Sequence, residues 1–466
     1  MKKVLAILLM LVLLTSVLVA CGPTSSDGKI HLVFYHTMSG TNLQPVLEKY
    51  IDEFEAMYPQ YVIEHKQVGN YDDVRNQISN EILAGNQPNI AYCYPDHVAL
   101  YNIAGAVQTL DEYINSTEEV THADGTKEIV GLTQEQKDDF IKGYYDEGAQ
   151  FGDGKMYSMP FSKSTEVLYY NKTYFDANKL KVPTTWEEMG EVCAKIKEIE
   201  TAKGNTQMIP LGYDSEANWF ITMTEQLGSG YTKVDSANPS EQFIFNNAEN
   251  KEFVKMFTSW YSKGYVTTQE INGGYTSDLF KNQKSVMCIG SSAGAKHQIP
   301  EKVAGEYPFE TGITSVPQVD ANNPKVISQG PSVTIFKKAN KEEVLGSWLF
   351  VKFLTTNASF QADFSLASGY VPVIKSAAED PVYAAEMAKA DGFANLVQLS
   401  AKVCLEQEKA YYASPAFYGS SAARDEVGAL IQYCLVNGAK LSGDALDQLI
   451  DKAFADAISN CQQAIS

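Results

Sequence analysis

The chain has 466 residues, enough for two or three domains, and its 44% hydrophobic and 20% charged residues are ordinary for a globular protein. Its formal net charge is -20, and no basic cluster interrupts the excess of acidic residues. We therefore do not expect nucleic acid or an anionic membrane surface as a partner, since both attract basic proteins.

The first twenty residues have the pattern of an export signal. Lys2 and Lys3 precede an apolar stretch at residues 4–17, and the chain then reads Leu-Val-Ala-Cys up to Cys21. This tetrapeptide resembles a lipobox, which implies that Cys21 is lipidated and anchors the protein outside the cytoplasm, on the cell membrane. An ordinary cleaved signal and an uncleaved anchor are the alternatives. Residues 21–28 then predict a flexible tether.

Six further cysteines are scattered along the chain, and several of them lie in apolar stretches. No Cys-x-x-Cys motif occurs, and a chain of this size does not need disulfides to stabilise its core. We interpret most of them as small buried hydrophobic residues, with Cys434 and Cys461 as the pair to test for a disulfide.

The first elements alternate between strands and helices. Apolar stretches predict strands at residues 30–35, 61–66 and 90–94, and apolar residues at helical spacing lie between them. This order predicts a parallel sheet with right-handed crossovers, and such sheets bind ligands outside the carboxyl ends of their strands. The loops at those ends carry His36, Ser39, Tyr71 and Asp96. The alternative is plain surface loops, since loops are polar in any case.

The most informative stretch of the chain is residues 152–186. Glycines predict a tight turn at its start, and a short strand then ends at Pro160. Residues 167–170 are β-branched and aromatic, which predicts a buried strand. The polar residues 162–165 therefore lie on a bend between two buried strands, where they could hold a ligand. Thr184 or Thr185, with acidic residues three positions later, predicts the start of the next helix.

The remainder of the chain continues the α/β pattern. Strands are predicted at residues 208–212, 285–289 and 326–336, the last of them broken at Gly330-Pro331, and helices are predicted after Trp219 and at residues 344–354 and 446–457. Residues 111–142 form a polar, acidic insertion without recognisable chemistry.

A serine hydrolase is the enzymatic alternative. The sequence Gly-Ser-Ser-Ala-Gly at residues 290–294 matches the nucleophile-elbow motif, with Ser292 in the position of the nucleophile. That motif requires a later general-base histidine after an acid, and the only histidine beyond Ser292 is His297, five residues away. No histidine or cysteine spacing matches a metal site, and no nucleotide-binding glycine motif occurs. We therefore expect no catalytic residue, metal or cofactor.

Residues 160–172 read Pro-Phe-Ser-Lys-Ser-Thr-Glu-Val-Leu-Tyr-Tyr-Asn-Lys. This run resembles the extracellular solute-binding proteins of bacterial ABC importers, in the carbohydrate-binding family that includes maltose- and glycerol-phosphate-binding proteins. The resemblance implies a two-lobed α/β fold of the periplasmic-binding-protein type II, with a hinge between the lobes. It also implies a monomeric receptor that delivers a carbohydrate to the transmembrane subunits of a permease. The expected lobes are residues 29–144 plus 325–369 and residues 145–324 plus 370–466.

Carried over position by position, the contact residues of the glycerol-phosphate subgroup fall on five residues of this chain, with Trp219 near the tryptophans of that subgroup: Tyr71, Ser164, Ser292, Gly330 and Tyr370. Two positions depart from the subgroup. Its glutamate aligns with Pro95, next to Asp96, and its phosphate-binding arginine aligns near Tyr418, several residues before Arg424. A phosphate would lack its bidentate partner. We therefore expect a neutral sugar stacked on Tyr418, Tyr370 and Trp219, with glycerol phosphate or a glycerophosphodiester as the alternative.

Overall fold

The computed structural model describes residues 27–235 and 237–465. The expected signal peptide, the lipidation site Cys21 and tether residues 21–26 lie outside the described residues. Among the helices within these ranges, none is both long and apolar enough to cross a membrane. The six cysteines from Cys93 onward are buried and unpaired, including Cys434 and Cys461, the candidate disulfide pair.

The first sheet contains the expected parallel strands. Ile30–His36 pairs in parallel with strands on both sides, with Ile30 opposite Tyr61 and Phe34 opposite Ile90. Helices Gly40–Met57 and Tyr71–Ala84 connect these strands, which confirms the predicted β-α-β-α-β unit. Two strands from later in the chain complete the sheet. Ser332–Ile335 pairs antiparallel with Ile90–Cys93, and Met159–Pro160 pairs antiparallel with Ser332–Ile335. The strand order is Tyr61–Gln67, Ile30–His36, Ile90–Cys93, Ser332–Ile335 and Met159–Pro160.

The second sheet is built around strand Ser164–Asn171. Strand Thr311–Ser315 pairs with its carboxyl-terminal half, at Asn171 to Val167, beside the main path of the sheet. The main path runs in the order Tyr411–Tyr412, Val326–Gln329, Ser164–Asn171, Ser285–Ser291, Ile209–Tyr213 and Val266–Thr268. The acidic insertion forms a separate hairpin from Glu119–Thr121 and Lys127–Ile129.

Helices cover both sheets. The predicted capping box is formed by Thr185, whose Oγ1 accepts a hydrogen bond from the Glu188 amide at 3.2 Å. The longer helices not yet named are Pro95–Asn102, Lys172–Asn178, Trp186–Ala202, Glu216–Leu227, Ala248–Ser262, Lys341–Thr356, Ala358–Ser368, Pro381–Met387, Leu396–Glu406, Ser420–Gly438 and Asp444–Ala464. The shorter ones are Asp111–Ile114, Gln134–Asp139, Lys142–Glu147, Gln269–Asn272 and Ser277–Lys281.

Each sheet has its own hydrophobic core. The first core contains Phe34, Phe54 and Trp348, and the second contains Trp219, Phe257 and Phe454. Separate cores on two α/β sheets give the molecule two lobes, as the resemblance implies.

The chain passes between the two sheets three times, once between Ile335 and Tyr411 and twice at adjacent positions, here called the two crossings. It leaves the first sheet after Pro160 and enters the second at Ser164, and it returns at Gly330-Pro331. Gly330 has a φ of 119°, and a Cβ there would lie 2.5 Å from the Ser162 carbonyl oxygen, so only glycine fits. The bend was expected at residues 162–165, but it comprises residues 161–163, because Ser164 and Thr165 already belong to a strand.

A buried ion pair joins the two crossings. The Lys163 ammonium is fully buried, bonds to the Glu147 carboxylate, and also donates to the Gly330 carbonyl oxygen at 3.0 Å. These contacts tie both crossing segments to helix Lys142–Glu147. The lobe limits given above stay a prediction. Strand Met159–Pro160 lies in the first sheet and Val326–Gln329 in the second, whereas those limits assign each strand to the other lobe.

Candidate functional site

A cleft lies between the two sheets, beside the crossings. One part of it is a cavity of about 570 Å³ that has side chains from both lobes and is within the size range of ligand sites. Two neighbouring cavities of about 640 and 120 Å³ share Tyr94 and Arg424 with it. The principal polar and aromatic residues around the first cavity are Tyr71, Tyr94, Ser164, Glu166, Asp214, Tyr275, Ser291, Gln329, Tyr370 and Arg424.

Tyrosines form the first-lobe wall of the cleft. Tyr71 is the first residue of a helix and Tyr94 follows Cys93 at the end of a strand, so both lie at the carboxyl edge of the first sheet. Their ring centroids are 4.5 Å apart, and the Tyr71 hydroxyl lies 3.2 Å from the Tyr370 hydroxyl. Burial raises the pKa of Tyr71 and Tyr370 well above the usual range. These phenols are therefore neutral hydrogen-bonding groups on an aromatic wall.

Arg424 projects from the second lobe and lines all three cavities. Its Nη2 donates to Asn218 Oδ1 at 2.6 Å, and Asn218 Nδ2 donates to Gln329 Oε1 at 2.7 Å. The chain of hydrogen bonds orients the guanidinium toward the cleft. The chain contains one other arginine, Arg75, which lines the 640 Å³ cavity and donates to Ser421 Oγ at 3.1 Å.

The carboxyl groups of Asp214 and Glu166 line the same cavity as Arg424. Asp214 accepts hydrogen bonds from the Thr276 amide at 2.7 Å and the Thr276 hydroxyl at 2.8 Å, while its burial raises its pKa. Burial also raises the pKa of Glu166, to about 7. The cleft therefore offers both donors and acceptors, which suits a ligand with many hydroxyl groups.

The structure brings five of the ten expected contact residues to these cavities: Tyr71, Asp96, Ser164, Gly330 and Tyr370. Tyr71 and Asp96 lie there because each follows a parallel strand at the same sheet edge. Ser164 lies there because it begins the strand after the first crossing, and Gly330 because it belongs to the second crossing. Whether these residues contact a ligand stays a prediction.

Trp219 is not in the cleft, and its expected role in ligand stacking is wrong. The side chain is fully buried in the second core, where its ring lies 3.6 Å from Phe257 and 4.8 Å from Tyr213, centroid to centroid. Helix Glu216–Leu227 presents Asn218 to the cleft and the neighbouring Trp219 to the core. Adjacent helical residues point in different directions. A position in sequence near the tryptophans of the subgroup therefore does not place Trp219 in the cleft.

Tyr418 also lies away from the cavities. It is 39% exposed, and its hydroxyl donates to the Ala464 carbonyl oxygen at 3.3 Å, against the last helix. The expectation of a sugar stacked on this ring is therefore wrong. Arg424, one helical turn into Ser420–Gly438, occupies the cleft instead.

Two residues of the first loop, which were expected in the site, also lie away from the cavities. His36 is fully buried, with its Nε2 3.0 Å from His65 Nδ1, and burial lowers its pKa to about 3. Ser39 is exposed at the start of helix Gly40–Met57 and lines none of the three cavities. This first loop turns away from the cleft, whereas the two later loops reach it.

Ser292 is buried behind the cavity wall. Its Oγ accepts a hydrogen bond from the Thr165 amide at 3.2 Å, and its neighbour Ser291 lines the cavity instead. A nucleophile must be accessible to its substrate, so this geometry argues against the hydrolase alternative as well as against direct ligand contact by Ser292. Within the described ranges no cluster of three metal-ligating side chains occurs.

Several residues that line the cleft were not predicted from the sequence. Tyr94 directly precedes a predicted loop, and the loop limits missed it by one residue. Gln329 lies inside a predicted strand and Glu166 directly precedes another, so alternation of side chains could have placed both next to the crossings. Arg424 could have been found by its rarity, as one of two arginines among 466 residues. Tyr275 and Asp214 gave no comparable signal.

Comparison with known proteins identifies the family. Residues 49–391 match the family model described as bacterial extracellular solute-binding protein. The sn-glycerol-3-phosphate-binding periplasmic protein UgpB of Escherichia coli (strain K12) is 25% identical over 362 residues, covering 74% of each chain. The corresponding UgpB of Shigella flexneri has the same identity and coverage.

Solved structures share the fold. UgpB from Mycobacterium tuberculosis in complex with glycerophosphocholine has a TM-score of 0.71 at 16% identity, covering 96% of this chain and 98% of that one. The GacH receptor of Streptomyces glaucescens, solved unliganded and with acarbose, has a TM-score of 0.69 at 16% identity, covering 94% and 98%. The family consists of binding proteins rather than enzymes. This chain belongs to the bacterial extracellular solute-binding protein family and has the two-lobed fold of periplasmic binding proteins.

Proposed function

We propose that this protein is the lipid-anchored receptor of an ABC importer and captures a carbohydrate, a sugar or oligosaccharide, between its two lobes. The observation that carries the proposal is the cavity of about 570 Å³, which is lined from both lobes by tyrosines, serines, carboxyl groups and Arg424. Aromatic faces stack on the C–H surfaces of sugars, and the polar groups bind their hydroxyls. Closure follows because the ligand contacts both lobes only in the closed state.

Glycerol phosphate or a glycerophosphodiester is the second candidate, and Arg424 favours it. Arg424 lies several residues after the position expected for a phosphate-binding arginine, but in the structure its guanidinium lines all three cavities. Arginine is well suited to bidentate recognition of phosphate. Lys281 and Lys296 also line the 570 Å³ cavity, but around the three cavities together acidic residues outnumber basic ones. A neutral sugar or a singly charged diester therefore fits the charge balance better than a doubly charged phosphate.

The proposed location is the outer face of the cell membrane. Cys21 at the end of the lipobox-like sequence would carry the lipid, and the receptor would pass its solute to the transmembrane subunits of the permease as a monomer. We expect Cys21→Ser to release the protein from washed membranes into the soluble fraction, because the anchor is lost. Retention in the membrane pellet of a variant whose signal segment has been removed would contradict the lipid anchor.

The proposal is tested by thermal-shift measurements on a soluble form that starts at Gly28. The probes are maltotriose, glycerol 3-phosphate and glycerophosphocholine. A probe present at 100 times its dissociation constant adds about 2.7 kcal/mol to the free energy of unfolding, which raises the melting temperature measurably. A shift with maltotriose supports the carbohydrate; a shift with the phosphate probes alone supports the second candidate. Recovery of hydrolysed probe would revive the enzymatic alternative.

A further inference from the structure

Glu166 lies at the wall of the cleft because of its position in a strand. It is the third residue of Ser164–Asn171, and side chains along a strand alternate between its faces. Ser164 and Glu166 therefore share a face, and both line the cavity of about 570 Å³. Thr165 between them points the other way, where its hydroxyl donates to the Ile327 carbonyl oxygen at 2.7 Å.

Only one oxygen of the Glu166 carboxyl group has partners. Oε2 accepts hydrogen bonds from the Tyr213 hydroxyl at 2.9 Å and from the Thr222 hydroxyl at 3.3 Å. Oε1 is buried and has no hydrogen-bond partner among the described residues, and the residue as a whole is 1% exposed. A buried acceptor without a partner disfavours the folded state, and folded proteins keep few of them.

We propose that Glu166 is a ligand-contacting residue, and that its free oxygen accepts a hydrogen bond from a hydroxyl group of the bound solute. The inference rests on the proposed function, because it requires a hydroxyl-bearing ligand in this cleft.

The charges around Glu166 determine what its replacement does to stability. Tyr213 and Tyr412, each two strands away in the second sheet, and Arg424 from helix Ser420–Gly438 face it, and Arg424 lowers its pKa. Burial outweighs that effect and raises the pKa to about 7. A carboxyl group whose pKa is higher in the folded protein than in the unfolded chain destabilises the fold above that pKa. At pH 8 its replacement by a neutral amide should therefore stabilise the unliganded protein.

The test compares Glu166→Gln with a matched control, Glu200→Gln, in the soluble form starting at Gly28. Glu200 is also a buried glutamate of the second lobe, but its carboxyl group has three donors: the Tyr174 hydroxyl at 3.0 Å, Lys203 Nζ at 2.8 Å and Asn205 Nδ2 at 3.0 Å. Melting temperatures are measured without ligand at pH 8. Affinities are measured by calorimetry with maltotriose, glycerol 3-phosphate and glycerophosphocholine.

We expect Glu166→Gln to melt at or above the wild-type temperature, and Glu200→Gln to melt below it. We also expect Glu166→Gln to bind the accepted probe at least tenfold more weakly, because an amide donor replaces the acceptor that meets the ligand hydroxyl. The control should keep its affinity.

Two results would overturn the inference. A lower melting temperature for Glu166→Gln would make Glu166 a structural residue, and wild-type affinity of this variant for the accepted probe would remove it from the site. If the wild-type protein binds none of the three probes, the proposed function fails for those solutes on its own. The ligand-free melting comparison then still decides whether Glu166 is held in the cleft at the expense of stability.

Discussion

Arginine distinguishes the cleft from the rest of the molecule at the scale of single residues. Lysine and arginine together number 37, and the two arginines, Arg75 and Arg424, both line cleft cavities. The guanidinium holds its donors in a rigid planar fork, whereas lysine is a flexible point charge. Both arginines therefore lie where directional hydrogen bonds can select a ligand.

We expect Arg424→Ala to weaken ligand binding by about 1.5–3 kcal/mol, the range for hydrogen bonds to a charged group. Arg424→Lys should recover little of this loss, because the ammonium cannot reproduce the bond to Asn218 and a second bond to the ligand together. Calorimetry on both variants measures the change. Affinities equal to that of the wild-type protein would place the ligand away from Arg424.

Trp219→Ala should act on stability rather than on binding. The indole is fully buried against Phe257 and Tyr213, and removing a buried tryptophan costs about 3–5 kcal/mol of unfolding free energy. Urea denaturation measures that loss, and calorimetry on the folded variant should give nearly wild-type affinity. A stable variant with weak binding would return Trp219 to the site and contradict the geometry.

At the scale of elements, the two crossings do most to define the site. Proline and glycine interrupt the strands at Pro160 and Gly330-Pro331, and each interruption sends the chain from one sheet to the other. The buried Lys163–Glu147 pair then fixes the crossings against a helix. The same segments place Ser164 and Gly330 in the cleft. The segments that connect the lobes therefore also form part of the wall of the ligand cavity.

Lys163→Met should destabilise the protein by about 3–5 kcal/mol, because Glu147 is left as an unpaired buried charge. The double variant Lys163→Met with Glu147→Leu should regain much of the loss, since neither charge then remains buried. Denaturant unfolding of the two variants measures the difference. A single variant as stable as the wild-type protein would show that the ion pair does not hold the crossings.

The sequence predicts the helices and strands better than it predicts which of their side chains point to the core or to the cleft. The β-α-β-α-β unit, the capping box at Thr185 and the strand break at Gly330 follow from local patterns, and the structure contains each of them. The orientation of Trp219, Tyr418 and His36 does not follow from such patterns, because it depends on packing between segments distant in sequence. The position of Arg424 in the cleft depends on such packing too, because no local motif determines which face of its helix points to the cleft.

At the scale of the whole molecule, polar contacts hold the lobes together in this structure. Arg75, on the first-lobe helix Tyr71–Ala84, lies 3.1 Å from Ser421 Oγ and 3.5 Å from Asp425 Oδ2 on the second-lobe helix Ser420–Gly438. Asp425 is 62% exposed, so solvent screens the ion pair and limits its contribution to about 1 kcal/mol or less. Such a contact biases closure without locking it.

We expect Arg75→Ala to shift the unliganded protein toward an open arrangement. A loss of about 1 kcal/mol changes a two-state equilibrium roughly fivefold, which small-angle X-ray scattering detects as a larger radius of gyration. Saturation with ligand should restore the compact form. An unchanged radius in the unliganded variant would mean that these contacts do not affect closure.

The proposed function requires one ligand to be held from both lobes at once. The most direct measurement is calorimetric titration of maltotriose, glycerol 3-phosphate and glycerophosphocholine into the soluble protein, Tyr71→Ala and Arg424→Ala. We expect saturable one-to-one binding of at least one probe, weakened by each variant, because Tyr71 lies on the first lobe and Arg424 on the second. Binding that neither variant alters, or that only one of them alters, would contradict a ligand enclosed between the lobes.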